Sequence, residues 1–175
     1  MGFHVSWIAT RGIEMDALWS AFGLTKAPSD FDSDKITSTV LPSGWNLISF
    51  NSISNYIRGY DEDIPCALSE QGEVLQLYAD ETSMSSLARG YRDGEMLWSI
   101  EHHASLNRFH IEATGTPPPC YMGIRQRLLA EQRAKGRGVD YVFSVPLEVC
   151  QTLTGYRYDH VYAGTLENLV DIEDA

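Results

Sequence analysis

The sequence predicts a single α+β domain, a mainly antiparallel sheet built from hairpins and packed against three to four helices. Three observations lead there. Several short runs alternate apolar and polar residues, the period of a strand. Two pairs of such runs are joined by tight-turn residues, Pro42-Ser43-Gly44 and Arg92-Asp93-Gly94, and tight turns pair neighbouring strands antiparallel. Helical periodicity is confined to short segments, with no repeat or low-complexity linker dividing the 175 residues. A chain with 43% hydrophobic and 11% aromatic residues has enough apolar mass for a core, which excludes global disorder.

Each element follows in order. Phe3, Val5, Trp7 and Ala9 alternate with His4, Ser6 and Thr10, as in a half-buried strand; Ile8 is the exception. Met15, Leu18, Trp19 and Phe22 then fall on one helical stripe, with Gly23 placed to cap it. Residues 26–35 are polar and predict a solvated loop. Residues 36–41 and 45–53 predict a hairpin about Pro42-Ser43-Gly44, and residues 60–70 a short helix. Val74, Leu77 and Tyr78 belong to a strand after Gln71-Gly72. Residues 83–91 and 95–103 form the strongest hairpin signal, because Asp-Gly accepts the positive φ angles of a tight turn. Residues 109–114 add a third strand to this meander. Pro117-Pro118-Pro119 stops the sheet and opens a helix with the stripe Tyr121, Ile124 and Leu128, ended by Gly136 and Gly138. Residues 139–145 predict a β-branched strand, and Pro146 starts a helix carrying Leu147, Cys150 and Leu153 inward to Gly155. Leu166, Leu169 and Val170 predict a last helix.

Charge narrows the function classes. The formal charge is −11, which argues against nucleic acid as the main partner because phosphates are repelled over most of the surface. The charge is uneven: five cations and one carboxylate between Arg125 and Arg137 leave −15 on the rest. The simpler account of that cluster is a charged helix face whose cations offset the dipole at the C-terminal end. The N-terminus lacks the pattern of a signal peptide and no apolar stretch is long enough to span a membrane. The three cysteines are widely spaced without a CxxC pair, which predicts reduced thiols and a cytoplasmic setting. No phosphate-binding loop and no G-x-S-x-G motif is present, so no cofactor is expected.

Three groups of residues are candidates for chemistry. Alternation places Glu95, Leu97, Ser99, Glu101 and His103 on one face of their strand, and Met96, Trp98, Ile100 and His102 on the other. If His103 faces His110 in the next strand, Glu101 faces Glu112, and the four side chains form one patch suited to acid–base work or a divalent metal. His102 shares its face with Trp98 and Ile100 and reads as a core histidine with its hydrogen bonds satisfied. The segment Gly155-Tyr156-Arg157-Tyr158-Asp159-His160 offers a general base beside aromatics, or a stretch whose tyrosines cover the core while Arg157 pairs with Asp159. The third group is a binding surface: Asp30, Asp32 and Asp34; Tyr60 with Asp61, Glu62 and Asp63; Tyr78 with Asp80 and Glu81. Aromatic anchors ringed by carboxylates suit a basic protein, since attraction speeds encounter and the rings supply buried area.

The segments Leu41-Pro42-Ser43-Gly44-Trp45, Asp93-Gly94-Glu95-Met96-Leu97-Trp98-Ser99-Ile100-Glu101-His102 and Gly155-Tyr156-Arg157-Tyr158-Asp159-His160 resemble stretches of small bacterial cytoplasmic proteins. In size, acidity and lack of a catalytic motif the chain is similar to immunity proteins, which neutralise antibacterial toxins. That resemblance implies a cytoplasmic module that binds and blocks a cognate basic toxin. It carries no catalytic or binding residue over and implies no particular fold. The alternative is a small hydrolase using Glu101, His103, His110 and Glu112, with or without a metal.

Overall fold

Residues 2–28, 35–136 and 138–175 are described by a computed structural model of the chain. Strand β1 (His4–Arg11) lies at the centre of a nine-stranded antiparallel sheet. On one side follow β4 (Asn46–Phe50), β3 (Ile36–Val40), β9 (Glu167–Asp171) and β2 (Leu24–Lys26). On the other follow β5 (Glu73–Asp80), β6 (Ser85–Arg92), β7 (Glu95–His103) and β8 (Glu112–Gly115). Four α-helices accompany the sheet among the described residues: α1 (Met15–Ala21), α2 (Asp63–Leu68), α3 (Cys120–Lys135) and α4 (Ser144–Thr154). The class is the predicted single α+β domain.

The helices pack on both faces, so there are two cores. Val5, Trp7, Leu77, Ala88, Trp98 and Ile100 meet α3 and α4 through Leu128, Val145, Leu147 and Cys150. Ile8, Ile48, Phe50, Val74 and Tyr91 meet α1 and α2 through Leu18 and Leu68. Strand β1 is therefore buried on both sides from Val5 to Thr10, where its alternation predicted half-burial. Ile8, the exception to the pattern, belongs to the second core.

The turn chemistry acts as predicted. Asp93 and Gly94 take φ of 54° and 75° and close the β6–β7 hairpin. Gly44, at φ 83°, closes β3 onto β4.

Four expected elements differ. Residues 139–145 form no strand: Asp140 Oδ1 accepts the N–H groups of Val142 (3.1 Å) and Phe143 (3.2 Å) and leads the chain into α4. The β-branched Val142 and Val145 are core residues of a turn and a helix start instead. The C-terminal segment is strand β9, not a helix. Leu24 pairs with Asp171 and Thr37 with Asn168, so the segment fills a gap between β2 and β3. A short apolar run fits either period, and pairing across the sheet decides it. The predicted strand at 109–114 is shorter and later, Glu112–Gly115. The described part of the 26–35 loop begins as β2, through Lys26.

Candidate functional site

Among the described residues, the second face is open to solvent along part of β6, β7 and β8. A groove runs along it in two adjoining depressions that share Glu101 as a common wall. One is bordered by Glu62, Arg89, Glu112 and Thr114. The other is bordered by Tyr60, Tyr78, Ser85, Leu87 and His103.

One rim of the groove is the 3₁₀ turn Tyr56–Tyr60 and the start of α2. Two buried side chains, Gln76 and Ser6, pin this rim. Gln76, fully buried on β5, donates its amide to the carbonyls of Gly59 (2.7 Å) and Asp61 (2.7 Å) and accepts the Tyr91 hydroxyl (2.7 Å). Ser6 Oγ donates to the Tyr56 carbonyl at 2.6 Å. The approach is so close that a Cβ on Gly59 would collide with Ser6 Oγ, which is why glycine stands there. The backbone carbonyls are thus anchored and the side chains of Tyr60, Asp61, Glu62 and Asp63 project from the rim.

Arg89 forms the floor. Its side chain is 7% exposed, and it meets Glu62 at 2.8 Å and Glu101 at 3.8 Å beneath the Tyr60 ring, 5.4 Å away. One cation thus faces two carboxylates, with Glu112 beyond and Asp61 and Asp63 on the rim, so the groove is negative. Tyr60 is 41% exposed and stands edge-on against Tyr78, the ring centroids 5.0 Å apart. Burial, with the hydrogen bond to Tyr56, pushes the Tyr78 phenol well above its ordinary pKa.

The predicted patch of histidines and carboxylates is brought together, in altered form. Glu101 pairs with Glu112 across β7 and β8. His110, however, precedes β8: its Nδ1 accepts the backbone N–H of His103 at 3.1 Å. The two rings are 5.7 Å apart, with His103 Nε2 3.5 Å from Glu101 and His110 Nε2 3.9 Å from Glu112. Among the described residues no three His, Cys, Asp or Glu side chains are placed to hold a metal ion.

The candidate acids occupy different situations. Asp61 Oδ1 accepts the Asp63 N–H (2.7 Å) at the start of α2, and Asp63 is exposed. Asp80 turns inward and accepts the N–H groups of Thr82 (2.8 Å) and Ser83 (3.2 Å), closing the β5–β6 turn. Glu81 accepts the Phe3 N–H (3.1 Å) and the Tyr158 hydroxyl (2.8 Å). Asp30, Asp32 and Asp34 lie outside the described residues.

His102 is the core histidine expected, fully buried, with Nδ1 2.6 Å from the His110 carbonyl and Nε2 3.0 Å from Asp140. In the 155–160 segment Arg157 Nε donates to Asp159 at 2.7 Å and the Tyr156 ring packs edge-on against Trp7. On α3, Arg127 pairs with Glu131 and Glu148, and Lys135 lies 5.1 Å from the Tyr141 ring centre.

Sequence reasoning missed three contributors: Arg89, Gln76 and Ser85. An arginine inside the run Leu87-Ala88-Arg89-Gly90-Tyr91 was the available signal, since a cation in a strand core needs carboxylates close by. Among the described residues, no helix is long and apolar enough to cross a membrane. No family model, curated protein or solved structure matches the chain.

Proposed function

We propose that the chain is an acidic protein-binding module of the immunity type, one that docks a basic antibacterial toxin on the open groove and blocks it. The observation that carries this reading is the groove itself. It leaves Glu62, Glu101 and Glu112 around one arginine, with Asp61 and Asp63 on an anchored rim and the Tyr60 ring exposed beside them. Carboxylates in that array draw a basic surface in, and an exposed tyrosine on a pinned turn supplies contact area at low entropic cost. A cytoplasmic location belongs to the same reading and agrees with Cys66, Cys120 and Cys150 all being free thiols.

The test is co-expression and co-purification with the product of the neighbouring gene, followed by association kinetics at low and high salt. Replacing Asp61, Glu62 and Asp63 together by lysine is expected to slow association about tenfold or more and to flatten its salt dependence. An unchanged association rate, or cells killed by the toxin despite co-expression, removes the proposal.

A further inference from the structure

The docking reading makes no use of the chemistry at the inner end of the groove. Ser85 and His103 stand directly opposite each other in the β6–β7 ladder, with Ser85 Oγ 3.2 Å from His103 Nδ1. The other ring nitrogen, Nε2, is 3.5 Å from the Glu101 carboxylate. A carboxylate there holds the ring hydrogen on Nε2 and leaves the Nδ1 lone pair for the serine hydroxyl. Glu101 is itself held, by the Ser99 hydroxyl at 3.1 Å and by Arg89 at 3.8 Å. The backbone of His103 is steadied by His110. Nucleophile, base and orienting acid thus stand in one line, and all three border the same open depression. That sequence of contacts is the pattern of an activated serine, recognised by geometry and roles rather than by motif or chain order.

We infer that Ser85, His103 and Glu101 form an acyl-transfer centre that hydrolyses small esters in the depression beside Tyr60 and Leu87. Ser85 Oγ bonds to the ester carbonyl carbon as its proton passes to His103 Nδ1. The tetrahedral species collapses by breaking the carbon–oxygen bond to the alcohol, which leaves with that proton. Water then adds to the acyl carbon, giving a proton to the same Nδ1. Collapse frees Ser85 Oγ, which recovers the proton and releases a carboxylic acid. Tyr60 and Ser83, on the same depression, supply hydroxyl donors for the carbonyl oxygen. Glu101 positions and stabilises the charged ring without reacting.

The experiment uses 4-nitrophenyl acetate as substrate and a fluorophosphonate as a serine label, on the full chain. The expected result is hydrolysis above buffer, a single label mapped to Ser85 by mass spectrometry, and loss of both in Ser85→Ala. His103→Gln is expected to lower kcat/KM by about 100-fold or more and to abolish labelling. Ser85 left unlabelled in the wild-type chain overturns the inference, as does Ser85→Ala hydrolysing at the wild-type rate. Labelling of the unmodified chain decides the question even if a variant fails to fold. The inference stands independently of the docking reading, because neither measurement involves a partner protein.

Discussion

His102 and His103 are neighbours in the chain and opposites in the fold. His102 is completely buried, with acceptors 2.6 Å and 3.0 Å from its two ring nitrogens. His103 is 37% exposed, with a hydroxyl on one nitrogen and a carboxylate at a looser 3.5 Å on the other. A single residue step along the pleat, from one face to the other, separates a buried structural imidazole from one that borders an open groove. The difference teaches that the contacts on each face of β7 set the role of a histidine, since residue type and sequence neighbourhood are shared. A buried ring with every partner satisfied contributes stability; a ring at the bottom of an open groove is available to a substrate or partner.

The largest expected effect comes from breaking the buried side. His102→Ala leaves the Asp140 carboxylate without its ring partner, and it is expected to cost about 3–5 kcal/mol in urea unfolding. Gly59→Ala is next. The new methyl meets Ser6 Oγ, so either the 3₁₀ turn or β1 must shift, at about 1–3 kcal/mol. Because Gly59 anchors the rim, the same variant is expected to lower affinity for a partner through Tyr60 and Glu62, which calorimetry would show. If Gly59→Ala leaves both stability and binding as they were, the rim is not pinned as described.

A pH titration sharpens the comparison further. Burial alone would raise the Asp140 carboxyl, but the hydrogen bond and charge of His102 and the N–H groups of Phe143 and Val142 together hold it below its ordinary value. A carboxyl depressed in the folded state contributes stability above its unfolded pKa of about 3.9. That contribution is lost as pH falls through the lower folded value. The wild-type chain is therefore expected to lose more stability below about pH 4 than Asp140→Asn does. Parallel acid limbs in thermal unfolding would show that Asp140 is not the linked group. The smallest effect belongs to the open side: His103→Ala is expected to change stability by no more than about 0.5 kcal/mol. Equal costs at positions 102 and 103 would end the distinction between them.

Much of this was legible in particular residues. From Trp98 onward the alternation on β7 holds and separates the two histidines, but a register shift opposite Gly90 and Tyr91 breaks it before that, so that Met96, expected on the core face, is exposed on the groove beside Arg89 and Ser99. The alternation also placed Glu101 opposite Glu112, as the ladder has it. His110 was legible only in part, because it lies before β8 and acts through its ring nitrogen on the His103 backbone. Ser85 carries no local signal at all: its partner is on the next strand and its role depends on the space above it. Gln76 is similar, since its hydrogen-bond partners come from the Tyr56–Asp61 turn and from Arg89 and Tyr91 on β6.

By itself, then, the amino-acid sequence determined what short-range chemistry controls. That includes the Asp93-Gly94 turn with its positive φ angles, the caps at Gly23 and Gly155, the period-two strands and the apolar face of β7 from Trp98 onward. Only the tertiary structure decided where β9 inserts, which strand face stays uncovered, and that Arg89 lies buried among carboxylates. The physical reason is the same in each case. A strand's hydrogen bonds and a buried charge's counterions come from residues distant along the chain, and their free energy exists only once those residues have met.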